Sequence, residues 1–357
     1  MNKLSFQLQP GQIKKDSDIS AVKKWCLILL PVAVFLLSFC CGRYSIAPGT
    51  VISVLKTNFL ELFNISSSAN FNDFEESVVL SIRMPRIILG MLVGAGLSVA
   101  GAALQGLFGN PLVSPQVLGV SSGSGFGAAL AILLFGNAFS VQALSVITGL
   151  VAVGMTYSIS RIRGGQSSIF MLVLAGTITA AFFEALISAA KLVADPFSKL
   201  PAITYWLMGS LANVSYKNVL SALPLITIGM AVLFLYRWRI NVLSLDKDEA
   251  KALGVNLQRS RIIVILACSI ITAASVSVCG IIGWIGLVIP HICRTIVGPN
   301  HKNLIPACMS VGGVYLVIID NIARSATSTE IPLSILTAVV GAPFFAYLLK
   351  RSGGQWT

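Results

Sequence analysis

Long apolar runs, separated by short polar or Gly- and Pro-containing breaks, recur from residue 26 to residue 349. They occupy about 26–42, 84–107, 116–135, 139–160, 169–191, 218–236, 262–281, 282–296, 304–323 and 332–349. Most reach the roughly 20 residues a helix needs to cross a hydrocarbon core about 30 Å thick. None alternates with the period of two expected of a transmembrane β-strand. The eighth run is short and rich in Gly and Pro, as in a half-span packed inside protein. The pattern predicts an all-α polytopic membrane protein with about ten transmembrane helices, whose even number puts both termini on one side.

Composition and charge sharpen this picture. Of 357 residues, 55% are hydrophobic and 11% charged, against about 25% charged in soluble domains. A soluble enzyme with an anchor is excluded. The net charge of +12 would suggest nucleic acid if it were clustered. It is instead spread through short loops, with no basic block interleaved with aromatics. With the N-terminus inside, about two-thirds of the Lys and Arg fall in inner loops, and the acidic residues lean outward. Both termini are therefore expected in the cytoplasm. Residues 1–24 form a cytoplasmic tail, 25–351 the transmembrane domain and 352–357 a second tail. The polar lead before Cys26–Gly42 and the lack of a small-x-small cleavage site favour an uncleaved first span over a signal peptide. The seven cysteines lie in or beside apolar spans, with no C-x-x-C and no disulfide framework.

Two outer segments are long. Arg43–Ile82 reads as polar, and Val193–Ser215 reads as a short interfacial helix with Tyr205 and Trp206 at headgroup depth. The one sizeable inner loop is Arg237–Arg261. There Asp246 and Glu249 fit a capping box. Ala250, Leu253 and Leu257 share one helical face, and Gly254 can end the helix in a left-handed cap. The result is a short amphipathic helix over about 247–253, which either rests on headgroups or meets a cytoplasmic partner. Its apolar face is small for a membrane anchor, which favours the partner.

The chemistry-bearing residues are few. Arg83-Met84-Pro85-Arg86 stands at the mouth of a glycine-rich run whose Gly90, Gly94, Ser98 and Gly101 allow close helix packing. Arg83 and Arg86 either snorkel at the interface or receive a partner. Gln105, four residues beyond Gly101, needs a neighbouring helix or a water-filled path, because an unpaired amide in lipid is costly. Glu184 is the one carboxylate deep in a span, and it motivates the alternative of an ion-coupled secondary transporter. No P-loop is present, since the dipeptide Gly-Lys does not occur. No nucleophilic triad, carboxylate pair or metal-ligand cluster appears, and His291 and His301 read as structural.

Taken together, the motifs resemble the permease subunit of FecCD-type ABC importers of iron-siderophore, haem and cobalamin. The resemblance runs from about Arg83 to Arg351. It rests on Arg83-Met-Pro-Arg86, Gly101-x3-Gln105, Asn110-Pro-Leu112, Pro115-x3-Gly119, Trp206-x2-Gly209-Ser210, Ala250-x2-Leu253-Gly254, Gly286-Leu-Val-Ile-Pro290-His291, Asp320-x3-Arg324 and Gly341-Ala-Pro343-Phe344. It implies a cobalamin-importer-permease-like fold in a prokaryotic plasma (inner) membrane, paired as a homodimer or with a related permease. It further implies two cytoplasmic ATPase subunits that hold the ATP and Mg, with no cofactor in this chain and no enzymatic activity of its own. An extracytoplasmic binding protein delivers the cargo, with iron(III)-siderophore ahead of haem and cobalamin. By the same resemblance, Arg83, Arg86 and Arg324 receive the binding protein. Asp248, Glu249, Ala250, Leu253 and Gly254 couple to the ATPase. Gln105, Ser167 and Ser168 belong to the path and its inner gate. Leu245-Asp246 departs from the Leu-Gly frequent in the family before the coupling helix, which puts the helix start in question.

Overall fold

The computed structural model describes residues 20–61, 63, 71–161, 169–244 and 247–352. In chain order these form α1 (Ala21–Ser38), α2 (Pro48–Glu61), α3 (Asp73–Ser77), α4 (Met84–Phe108), α5 (Val120–Leu134), α6 (Ala138–Ser160) and α7 (Ile169–Leu192). There follow α8 (Lys199–Leu207), α9 (Tyr216–Leu243), α10 (Lys247–Ala252), α11 (Leu257–Cys279), α12 (Ile285–Val297), α13 (His301–Ser325) and α14 (Leu333–Ser352). No strand occurs among the described residues. Each of the ten expected spans coincides with a helix. Among the described residues, seven helical runs are long and apolar enough to cross a membrane, while α5, α12 and the Leu333–Leu348 part of α14 are shorter. The expected half-span is α12, with 13 residues.

The helix α4 is the central column. Nearly every residue from Ile87 to Phe108 is buried, against α13, α9, α11 and α12. A helix enclosed on all sides can admit neighbours closely only where side chains are small. Gly94 meets the backbone of Gly312 on α13: a β-carbon added there would lie 2.3 Å from the Gly312 carbonyl oxygen. Gly101 meets α12, where a β-carbon would lie 1.9 Å from the carbonyl oxygen of Gly286. Ser98, between them, donates its hydroxyl to the Cys308 carbonyl. The small-residue faces expected from the sequence are thus backbone contacts. At the other extreme α1 is almost wholly uncovered, with Trp25, Ile28, Leu29 and Leu37 outward. It is tied to α13 by a hydrogen bond from Ser310 Oγ to the Leu27 carbonyl (2.6 Å).

Two expectations about the outer side need correction. Arg83 and Arg86 do not stand at the mouth of a helix: the helical run is continuous over Asp73–Phe108. Pro85 lacks an N–H and crowds the preceding turn. The chain accommodates it by widening to a π turn over Val78–Arg83, where the Met84 N–H reaches the carbonyl of Val79. The segment 43–82, read as polar, also contains α2. That helix buries Val51, Val54 and Thr57 in a satellite core with Phe39, Ile46, Val79 and Ile87. Two buried valines three residues apart, in a helix that otherwise mixes polar and apolar side chains, are too weak a signal to separate from a loop.

The short helix expected in 193–215 is α8, and it explains the Trp206-x2-Gly209-Ser210 motif. Gly209 and Gly280 both have left-handed backbones, with φ of 70° and 71°. A β-carbon on Gly280 would meet the Trp206 carbonyl at 2.2 Å. Ser210 N–H donates to the Cys279 carbonyl (2.8 Å), and Leu333 N–H donates to the Gly209 carbonyl (2.9 Å). The end of α8, the end of α11 and the start of α14 are thereby joined.

Gly101→Ala is expected to destabilise the folded chain by about 1–3 kcal/mol or more, because neither backbone can yield to the added methyl. Gly154→Ala, on α6 with no atom within 4 Å of the added carbon, is expected to be near neutral. Thermal unfolding in detergent compares the two, and equal melting points would contradict the contact.

Candidate functional site

One site is a buried ion cluster built on α4 and α13. Asp320 and Arg324, four apart on α13, face α4 one turn beyond its π segment. The Arg86 guanidinium binds two carboxylates. Its Nε donates to Asp320 Oδ2 (2.9 Å) and its Nη2 to Asp320 Oδ1 (2.8 Å). Its outer edge donates from Nη1 and Nη2 to Glu330 (2.9 and 2.8 Å). Such a bidentate fork is the geometry a guanidinium offers and an ammonium does not. Arg83 donates to the carbonyls of Phe39 and Tyr44, closing the loop after α1. Arg324 donates to the Ser38 carbonyl (2.8 Å) and lies 3.9 Å from Asp320, while its buried Nε has no hydrogen-bond partner among the described residues.

The three arginines expected to receive a docking partner are thus engaged within their own chain. Arg83, Arg86 and Arg324 are 3%, 5% and 6% exposed, and the polar ends are taken up by their own chain. A lone buried guanidinium would be strongly unfavourable, so burial requires these internal acceptors. Glu330, on the loop before α14, was missed by sequence reasoning, since a carboxylate seven residues beyond the expected span looks like any loop residue. Burial raises its pKa, but the hydrogen bonds and charge of Arg86, with Arg43 and Arg324, outweigh that and hold it below the ordinary 4.5. Of the cations expected on the outer side, Arg43, Lys56 and Lys217 are exposed.

The central site is the crossing of α4 with the non-helical turn between α11 and α12. Gln105 is buried and donates from Nε2 to the Gly286 carbonyl (3.3 Å), while its Oε1 has no partner among the described residues. Of the two surroundings open to it, the structure supplies the neighbouring helix. Trp284, immediately before α12, has φ of 70°, a region costly for a bulky residue. Its carbonyl accepts from the N–H groups of Leu287 and Val288. Gly341 of α14 lies against it, so that an added β-carbon would meet the Trp284 side chain at 2.9 Å. This contact accounts for the glycine of the Gly341-Ala-Pro343-Phe344 motif.

Between α9 and α11, α10 spans Lys247–Ala252. Glu249 is exposed, Ala250 is fully buried, Leu253 is 52% exposed and Gly254 carries the expected left-handed backbone (φ 71°). Leu253 therefore does not share a buried face with Ala250. It projects, while Ala250 seats the helix against its neighbours. Asp246, Gln166, Ser167, Ser168 and the side chain of Asp248 lie outside the described residues. His301 is structural, as expected, though it opens α13 rather than lying in a loop. Its Nδ1 is 2.7 Å from Asn241 Oδ1 on α9 and its Nε2 is 3.3 Å from the Ala102 carbonyl on α4. Glu184 is exposed on α7 and accepts from Ser122 Oγ at 3.2 Å.

The FecCD transport family profile matches residues 28–351. The chain belongs to the FecCD transport family. Among its relatives, the molybdate import system permease protein MolB of Haemophilus influenzae is 39% identical over 92% of this chain and 96% of its own. A probable iron chelatin transport system permease of Helicobacter pylori is 41% identical over 78% of this chain and 83% of its own. A solved structure assigned to the metal-chelate type of ABC transporter, in an inward-facing conformation, is 37% identical. It superposes with a TM-score of 0.79 over 92% of this chain and 99% of that one. The FecCD chain described here is thus a multi-span permease of an ABC importer, a transport component whose ATP hydrolysis is done by a separate ATPase.

Two consequences of the ion cluster are measurable. Asp320→Ala leaves Arg86 buried with half its acceptors and is expected to cost about 3–5 kcal/mol. Glu330→Gln, at the solvated edge, is expected to cost at most about 1 kcal/mol. Because the folded pKa of Glu330 is depressed, its contribution is complete above 4.5 and is lost as pH falls through the folded value. Melting temperature followed downward from neutral pH should decline less steeply in Glu330→Gln than in the unaltered chain.

Proposed function

We propose that this permease carries a metal chelate, foremost an iron(III)-siderophore, inward across a prokaryotic plasma membrane, with both termini cytoplasmic. It works as a homodimer or with a related permease, on two ATPase subunits and an extracytoplasmic binding protein. The observation that carries the coupling is α10: Ala250 anchors it and Leu253 projects from it, which suits insertion into a partner groove. Glu249 and Asp248 flank that contact, and Gly254 ends the helix. Ser167 and Ser168 are assigned to the inner gate by family resemblance, and Gln105 to the wall beside it.

The burial of the outer arginines changes the proposed docking chemistry. An acidic group of the binding protein meets exposed Arg43 first. It reaches Arg86 only by displacing Glu330, the more exposed of that arginine's two carboxylates. Arg83 and Arg324 act from behind by holding the loops that form this rim. Charges so placed set register and association rate more than affinity.

The chelate reading is supported by the names of the metal-chelate structure and the Helicobacter relative. The Haemophilus relative supports a second reading, molybdate. In proteoliposomes containing this chain with its ATPase, uptake of a ferric chelate should require both ATP and the binding protein; uptake without the ATPase would refute the mechanism. Leu253→Asp should lower transport per ATP hydrolysed by about tenfold, the loss of one hot-spot contact. Unchanged coupling would remove α10 from the ATPase interface.

A further inference from the structure

The one deep carboxylate of the spans remains unexplained by docking or coupling. Glu184 lies eight residues before the end of α7, about 12 Å inside it at 1.5 Å per residue. It is exposed on a single chain. Its side chain accepts one hydrogen bond, from Ser122 of α5, and no cation pairs with it among the described residues. A carboxylate in this position is costly against lipid and is tolerated where water reaches it.

The rest of α7 divides accordingly. Thr177, Ala181, Glu184 and Ser188 follow at intervals of four, three and four, which is one helical face, and all are exposed. Ile178 and Phe182, each about half exposed, occupy the adjoining arc. The opposite face, with Leu172, Ala175, Thr179, Phe183 and Ile187, is buried against α5 and α6. From Thr177 to Ser188 the uncovered surface thus has a small, polar, charged side and a bulky apolar side, while one and two turns earlier the same helix exposes Leu174 and Phe170. Lipid suits the second and water the first.

We propose that the Thr177–Ser188 face lines the aqueous path, and that Glu184 is a specificity-determining carboxylate within it. It favours cationic or donor-rich chelates and opposes oxyanions. This rests on the importer reading for the identity of the path, though not for its wetness. In a low-dielectric channel one fixed negative charge concentrates cations and repels anions. Ser122 holds the carboxylate on the open side through Oε1. The assignment separates the two cargo readings, because a molybdate path would gain nothing from a carboxylate on its wall.

Two measurements test it. With Cys26, Cys40 and Cys41 replaced by Ser, single cysteines are introduced in the full chain in membranes and exposed to a water-soluble maleimide. Ala181→Cys and Ser188→Cys should label, and Ile178→Cys and Phe182→Cys should not. Equal labelling of the two arcs, or the reverse order, overturns the wet face. In the complete reconstituted transporter, uptake of a cationic ferric trihydroxamate should fall in the order unaltered chain, Glu184→Gln, Glu184→Lys. The last should show about a tenfold loss with ATP hydrolysis retained. Uptake that is equal in all three, or rises in Glu184→Lys, overturns the selectivity role. ATP-independent uptake by the unaltered chain would instead sink the importer reading and leave the labelling result standing.

Discussion

The approach of Gly101 to the Gly286 carbonyl governs how near the broken segment can come to the central helix, and the packing of the bundle follows from that distance. A membrane interior offers no hydrophobic drive between helices, so association depends on close van der Waals contact and on internally satisfied polar groups. The helix α4 meets both demands. Gly94 and Gly101 bring in α13 and α12. Ser98 and Gln105, on neighbouring turns, bond the Cys308 and Gly286 carbonyls that this proximity exposes. The small residues set the spacing, and the two polar residues make it specific.

The ion cluster applies the same logic to charge. Three arginines are buried within one small region, and the acceptors they use belong to separate parts of the chain: the loop after α1, the body of α13 and the loop before α14. Each guanidinium therefore ties loops that carry little apolar surface of their own. A buried ion pair contributes modestly relative to a well-packed apolar pair, but removing one partner is severe. The cluster acts more as a constraint on geometry than as a source of net stability.

Most of the fold was legible because the bilayer imposes length and hydropathy on every span, and ten apolar runs became ten helices. The glycine faces were legible for a similar reason, as their spacing has a single geometric use. The helix α2 was not, because an interfacial helix needs neither length nor strong apolarity. Continuity through Pro85 was hidden as well, since a π turn has no compositional signature. At the site, Arg86, Asp320 and Arg324 were visible as residues, but their partners were not. Spacing reports what shares a helix face, whereas the Arg86–Glu330 contact joins residues 244 positions apart. Leu253 is a different case. Periodicity placed it with Ala250, and tertiary packing covered only the latter.

The corner at Trp284 has a mechanical implication. Its unfavourable backbone is held in place by Gly341 on one side and by the turn leading into Gly286 on the other. The helix α14 begins three residues after Glu330 and carries Gly341 in its third turn. Through Gly341, the helix that follows the rim carboxylate rests on a residue already off its energy minimum. That residue abuts the carbonyl against which the central helix is seated. With Gly341 this close to the Trp284 side chain, α14 cannot tilt towards that corner unless Trp284 moves with it.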